Sequence, residues 1–159
     1  MNVLLSVKPF YANAILKGTK KYEFRRKIFK EKDIENVYIY CNSTTKKIIG
    51  SFKIDKIFEA APLQLWAKFN KYGGIDKADF FKYFMGCKKS YCIKIKDVKK
   101  FRNPIDPYSY DKNFVAPQSF YYISDKKLMD MKNETTNQMY ENNQEEFYRR
   151  MAHYENERF

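Results

Sequence analysis

Eight consecutive residues, Gly18-Thr19-Lys20-Lys21-Tyr22-Glu23-Phe24-Arg25, gather cations and a carboxylate in the spacing G-x-K-x-x-E-x-R. An arginine offers a planar fork of donors suited to a phosphate or a base edge, and a lysine offers a mobile point charge. A carboxylate accepts from an exocyclic amine or a hydroxyl. The same groups suit hydrolysis: Glu23 as general base, with Lys20 or Arg25 stabilising negative charge that develops on a phosphate or carbonyl oxygen. Lys20 and Glu23 are thus the candidate catalytic pair, and with Arg25 they are the candidate ligand-binding centre. Lys8, Arg26, Lys46 and Lys47 extend the positive strip, and Gln118 and Ser119 are peripheral candidates. Tyr11, Tyr22, Tyr40 and Trp66 are aromatics suited to stacking a base, although core packing is the commoner use of such residues. The bland alternative for the charged triplet is a solvated ion-pair ladder on an exposed strand face, which contributes little to stability.

These side chains need a scaffold, and the pattern around them supplies one. Val3 to Val7 is a short apolar run that reads as a buried strand, followed by Pro9, which suits the first turn of a helix over Phe10 to Lys17. Gly18 is placed as its left-handed stop. Lys20 to Arg26 alternates as a strand, with Tyr22, Phe24 and Arg26 on one face and Lys21, Glu23 and Arg25 on the other. Asn36 to Cys41 and Ile48 to Phe58 read as a hairpin, with Gly50 as a bulge or close-approach point. Pro62 to Tyr72 and Asp76 to Met85 carry helical spacing and flank Gly73-Gly74. Ser90 to Lys96 alternates again, a loop holding Pro104, Pro107 and Pro117 follows, and Phe120 to Ile123 is the last strand. The sum is an α+β chain of about six strands, the element count of a small mixed β-barrel.

Charge divides the chain. Residues 1–124 hold 25 basic and 11 acidic residues, a net of +14, whereas residues 125–159 hold 6 and 8, a net of −2. The positive field of the first part attracts polyanions, because each cation that neutralises a phosphate releases a condensed counterion. A boundary is expected near Ser124, with residues 1–124 as the folded domain and 125–159 as a polar helical or partly disordered tail. Leu128, Met131 and Thr135, and later Phe147, Met151 and Tyr154, form helical stripes that predict either packing on the domain or a homodimer or partner-protein contact. Cys41, Cys87 and Cys92 read as reduced thiols, and the sole histidine is His153. No metal and no cofactor is predicted. Without a long apolar run the chain has no sign of a signal peptide or a membrane partner, and the cytoplasm is the default.

The octad between a first helix and a second strand resembles the signature of the ASCH domain, a PUA-like β-barrel with a helix near its start. The likeness extends to Leu5-Ser6-Val7-Lys8-Pro9, to Tyr40 through Gly50, and to Ala116-Pro117-Gln118-Ser119-Phe120, and so covers roughly residues 1–124. The resemblance implies a cleft beside the barrel where the matching lysine, acid and arginine converge, and RNA, other nucleic acid or a nucleotide with a modified base as partner. It also implies hydrolysis as an alternative, since some ASCH proteins deacylate modified cytidine and others are ribonucleases. The deacylase pattern places a threonine nucleophile at the position of Glu23 and a further glutamate in the helical insert. This chain has glutamate for the threonine and no matching acid around Tyr72, Gly73 and Gly74. Three readings follow: an RNA or modified-base reader, a small metal-independent hydrolase using Lys20 and Glu23, and an interaction module working through the tail.

Overall fold

The computed structural model describes residues 1–156, so the last three residues of the predicted tail lie outside the described part. The first strand, β1 (Asn2–Val7), is buried along its whole length. Val3, Leu5 and Val7 face one apolar cluster and Leu4 faces another, which is why the sequence shows a continuous apolar run in place of alternation. Helix α1 (Pro9–Lys17) starts with proline in its first turn and ends at Gly18, whose φ of 81° is left-handed and whose N–H donates to the last turn. Ala12 and Ile15 of α1 join Val3, Leu5 and Val7 in the first cluster.

Strand β2 (Tyr22–Arg25) pairs antiparallel with β5 (Ser90–Ile105), which pairs with β4 (Lys47–Ala60), itself the hairpin partner of β3 (Asn36–Cys41). β3 runs parallel to β1, and β1 is antiparallel to the last strand, β6 (Phe120–Ile123). The order is β2-β5-β4-β3-β1-β6, a single six-stranded sheet. The six strands are as expected, but the sheet is not closed into a barrel: β2 and β6 are its edges. No ladder joins those edges, and the gap between them is crossed by a side chain, Arg25 of β2. Its Nη1 donates to the Ser6 carbonyl on β1, and its Nη2 donates to Ser119 just before β6.

Register shifts in β4 at Gly50 and beyond bend the two long strands around the core. A Cβ at Gly50 would collide with the Lys99 carbonyl and lie 2.6 Å from Leu16, so the glycine is required for close approach. β5 continues far past Lys96, through Pro104 to Ile105. Its outer half is polar and largely exposed, so the sequence there has no apolar alternation to announce a strand.

Between β4 and β5 stand α2 (Pro62–Phe69), a 3-10 turn (Asn70–Tyr72) and α3 (Lys77–Tyr83). Leu65, Phe69, Phe80 and Phe84 of this insert bury Phe24 and Cys92 in a third cluster. A short helix, α4 (Pro107–Tyr110), precedes β6, and α5 (Asp125–Asn156) follows it. The first turns of α5 are part of the folded body: Leu128 and Met131 pack against Leu4, Tyr40, Ile48 and Ile123. Thr135 Oγ1 accepts from the Asp106 N–H at 2.9 Å and ties α5 to the start of α4. The second stripe differs, for Phe147, Met151 and Tyr154 are exposed.

The two halves of α5 should therefore respond differently to truncation of an apolar side chain. Met131→Ala, at a fully buried position, is expected to cost about 2–5 kcal/mol in urea unfolding. Met151→Ala is expected to stay within about 0.5 kcal/mol of the parent. Equal effects would show that α5 packs otherwise.

Candidate functional site

Gly18 turns the chain back on α1, so that the Thr19 and Lys20 N–H groups both donate to the Ala14 carbonyl at 3.1 Å. The next residue is fixed from two sides: the Lys21 N–H donates to the Tyr72 carbonyl at 2.8 Å, and the Lys21 carbonyl accepts from Ile95 at 3.0 Å. Lys20 is thereby directed inward and is only 2 % exposed. Its Nζ donates to the Gly73 carbonyl at 2.5 Å and lies 3.9 Å from Glu23 Oε1. The rings of Tyr11 and Phe24 stand 5.4 and 5.1 Å from the ammonium.

Glu23 is 6 % exposed. One carboxylate oxygen, Oε1, accepts from the Phe24 N–H at 3.1 Å, and the other, Oε2, has no hydrogen-bond partner. Arg25 lies beyond it on the same strand. Its Nη2 donates to Ser119 Oγ at 2.8 Å and to the Ser119 carbonyl at 3.3 Å, its Nη1 donates to the Ser6 carbonyl at 3.3 Å, and its buried Nε is unpartnered. Lys20, Glu23, Arg25, Ser119 and Tyr11 are thus brought into one neighbourhood. The triplet is not the solvated ladder that alternation on a wet face would give, because α1, the insert and the β1–β6 end of the sheet cover it.

Burial has an electrostatic consequence. Desolvation pushes the Lys20 pKa below the ordinary lysine value, and Arg25 adds to that, while Glu23 and Cys92 oppose it. The Tyr11 hydroxyl is raised, first by burial and then by the negative charges of Asp79, Asp76 and Glu23. Cys92, opposite Phe24 on β5, is pushed up to about 12 by burial and is an inert thiol.

Other predicted residues fall elsewhere. Lys8 is the exposed residue ahead of α1, Lys46 is exposed in the β3–β4 turn with φ of 51°, and Gln118 is exposed. Arg26 lies over the Tyr83 ring at 4.8 Å, outside the buried group. Among the described residues no hydrogen bond or ion pair joins these four to Lys20, Glu23 or Arg25. Tyr40 and Trp66 are packed against Phe114 and Phe80 and are core residues. Among the described residues no group of three or more His, Cys, Asp and Glu is placed to hold a metal ion.

The Gly73 carbonyl is the site component that sequence reasoning missed. The doublet Gly73-Gly74 carried a signal for it, since two adjacent glycines mark a place where backbone comes close to something. Gly74 has φ of 64°, and a Cβ there would lie 2.7 to 3.1 Å from three carbons of the Lys20 stem. A Cβ at Gly73 would meet the Phe24 ring at 2.9 Å. The two glycines close over Lys20 because neither carries a side chain.

The open six-stranded α+β fold with its helical insert has counterparts among solved structures. No family model matches the sequence. The crystal structure of ASCH from Zymomonas mobilis superposes with a TM-score of 0.75 at 25% identity, covering 82% of this chain and 92% of that one. An ASCH domain-containing ribonuclease of Zymomonas mobilis is 27% identical over 126 residues, 76% of this chain and 82% of that protein. Large ribosomal subunit protein uL22 of Ureaplasma parvum is 26% identical over 121 residues, 76% of this chain. The chain spans only 39% of that relative's length. In fold and in sequence this chain is similar to ASCH-domain proteins.

The Lys20–Glu23 pair gives a thermodynamic test. Lys20→Met leaves a buried carboxylate without its cation and is expected to destabilise by about 3–5 kcal/mol. Adding Glu23→Leu should recover most of that loss or exceed the parent. Because burial disfavours the Lys20 ammonium, the unfolded chain holds that proton more tightly. Parent stability should therefore rise with pH between the folded and unfolded pKa values of Lys20, a rise the double variant lacks. Chemical denaturation of the three proteins across alkaline pH reads both effects.

Proposed function

We propose that this ASCH-like protein binds RNA, and that the nucleotide it holds is received by Lys20, Glu23 and Arg25. The observation that supports this best is a buried carboxylate oxygen, Glu23 Oε2, left without a donor beside a buried lysine. Such an arrangement costs stability, and strongly desolvated charge pairs are concentrated where a ligand or a reaction uses them. Glu23 Oε2 accepts from an exocyclic amine or a ribose hydroxyl. Lys20 spends one of its three donors on Gly73 and directs the others to a phosphate oxygen. Arg25 Nε and the Ser119 hydroxyl border the same place. The net charge of +14 over residues 1–124 supplies the long-range attraction for the strand.

A second reading, metal-independent ribonuclease action, is favoured by the lowered pKa of Lys20 next to a carboxylate, and by the ribonuclease name carried by one relative. In that case a ribose 2′-hydroxyl passes its proton to Glu23 Oε2 as the 2′-oxygen bonds to phosphorus. The bond from phosphorus to the 5′-oxygen breaks, and Lys20 stabilises the negative charge and delivers a proton to the leaving oxygen.

Glu23→Gln separates the two readings, with single-stranded RNA as probe and EDTA present. For an enzyme, cleavage should fall by about 10²-fold or more while retention of the RNA persists. For a reader, neither protein cleaves, and Glu23→Gln and Lys20→Met each weaken binding. Wild-type affinity that does not change between low and moderate salt would remove phosphate contacts, and the proposal with them.

A further inference from the structure

A row of lysines and aromatic rings lies on the outer face of the insert, apart from the buried pair. Lys56 and Lys68 stand over the Phe58 ring at 4.9 and 5.2 Å, and Lys68 also stands 5.6 Å from Phe69. Phe58 and Tyr22, both half-buried, each lie 4.7 Å from Phe69, a core residue only 7% exposed, so their outer edges flank one buried ring across β4, α2 and β2. The row continues with Tyr72, which is 44% exposed and has Lys21 at 4.5 Å and Lys71 at 5.5 Å from its ring.

Two features distinguish this row from an ordinary soluble surface. First, Lys21, Lys56, Lys68 and Lys71 are exposed, and among the described residues none forms an ion pair. The carboxylates nearby are engaged elsewhere, Asp55 with Lys94 at 3.0 Å and Glu59 with Lys89 at 3.6 Å. Second, three rings here have ammonium groups on them, Phe69 one and Phe58 and Tyr72 two each. That combination, π-faces for stacking with cations beside them, is what a single strand requires, since bases stack on aromatics while phosphates meet the lysines. The row also ends at the buried pair: Tyr72 directly precedes Gly73, whose carbonyl holds Lys20.

We propose that this face is a second binding surface, carrying the stretch of single-stranded RNA that flanks the nucleotide held at Lys20 and Glu23. The inference rests on the RNA reading above and extends it from a nucleotide pocket to a strand path. Exposed bases and a flexible backbone are needed to use both the rings and the lysines, which favours a single strand over a duplex.

The test compares a single-stranded 12-nucleotide RNA with a mononucleotide by anisotropy or calorimetry over a salt series. The triple variant Lys56→Gln, Lys68→Gln, Lys71→Gln should lose at least tenfold in affinity for the 12-mer. Its salt slope should fall by about 2, at roughly 0.7 for each phosphate contact removed. Its affinity for the mononucleotide should equal that of the parent. Tyr72→Ala should weaken the 12-mer by about fivefold or more through lost stacking. A control triple, Lys112→Gln, Lys127→Gln, Lys132→Gln, removes the same charge elsewhere and should change binding far less. The strand path is overturned, with the nucleotide site intact, if the first triple binds the 12-mer like the parent while Lys20→Met weakens it. Equal loss in both triples, or equal affinity for duplex RNA, would also overturn it. A parent that binds neither probe ends both readings.

Discussion

The structure depends on how one short strand is held at the edge of its sheet. β2 has four residues and a ladder on one side only, so its free side must be satisfied by something other than another strand. The Phe24 N–H is taken by the Glu23 carboxylate, and Arg25 ties the edge to the far end of the sheet by reaching across to Ser6 and Ser119, where β1 and the approach to β6 present carbonyls and a hydroxyl. The guanidinium is suited to the gap because its planar fork meets several acceptors in a fixed geometry, which an ammonium would not. In an open sheet with an arginine clasp the seam is bridged by side chains and not by backbone, and Glu23 and Lys20 lie buried beside it.

Burial at this seam sets the chemistry. Lys20 and Glu23 are almost without solvent, and 3.9 Å between them is a loose ion pair. Neither charge is fully compensated: one carboxylate oxygen has no donor, and the lysine leans on a backbone carbonyl and two aromatic faces. Apolar residues of similar size would make a more stable seam. Retaining the charges is consistent with a site and poorly explained by stability. The glycine doublet contributes by letting backbone close on the lysine stem at distances no side chain would permit.

Sequence alone gave unequal access to these features. Local chemistry was legible: Pro9 opening α1, Gly18 closing it, Gly50 where β4 bends, and the alternation that places Phe24 in the insert cluster and Glu23 opposite. Long-range geometry was not. The alternation of Glu23 and Arg25 with apolar residues signals a wet face unless it is known that α1 and β1 lie over it. The extension of β5 to Ile105 was hidden because its outer half has polar residues on both faces. Leu128 and Met131 were visible as a stripe, but their partners, Leu4, Tyr40 and Ile48, lie more than seventy residues away and no pattern announces them. The open sheet itself could not be read, because six strands fit a barrel or an edge-clasped sheet equally well.

The insert between β4 and β5 joins these observations. Its inner face, through Phe69, Phe80 and Phe84, buries Phe24 and so fixes the orientation of β2. With Phe24 held inward, strand alternation drives Glu23 to the opposite side, toward Lys20. The turn of the same insert then supplies the Gly73 carbonyl that caps Lys20. Its outer face carries Lys68, Lys71 and Tyr72. One twenty-odd-residue excursion therefore packs the strand, positions the charged pair and presents the cations beside it. A change in how α2 and α3 dock would move the carbonyl and the strand together. The carbonyl that holds Lys20 and the rings that hold Phe24 thus belong to one segment.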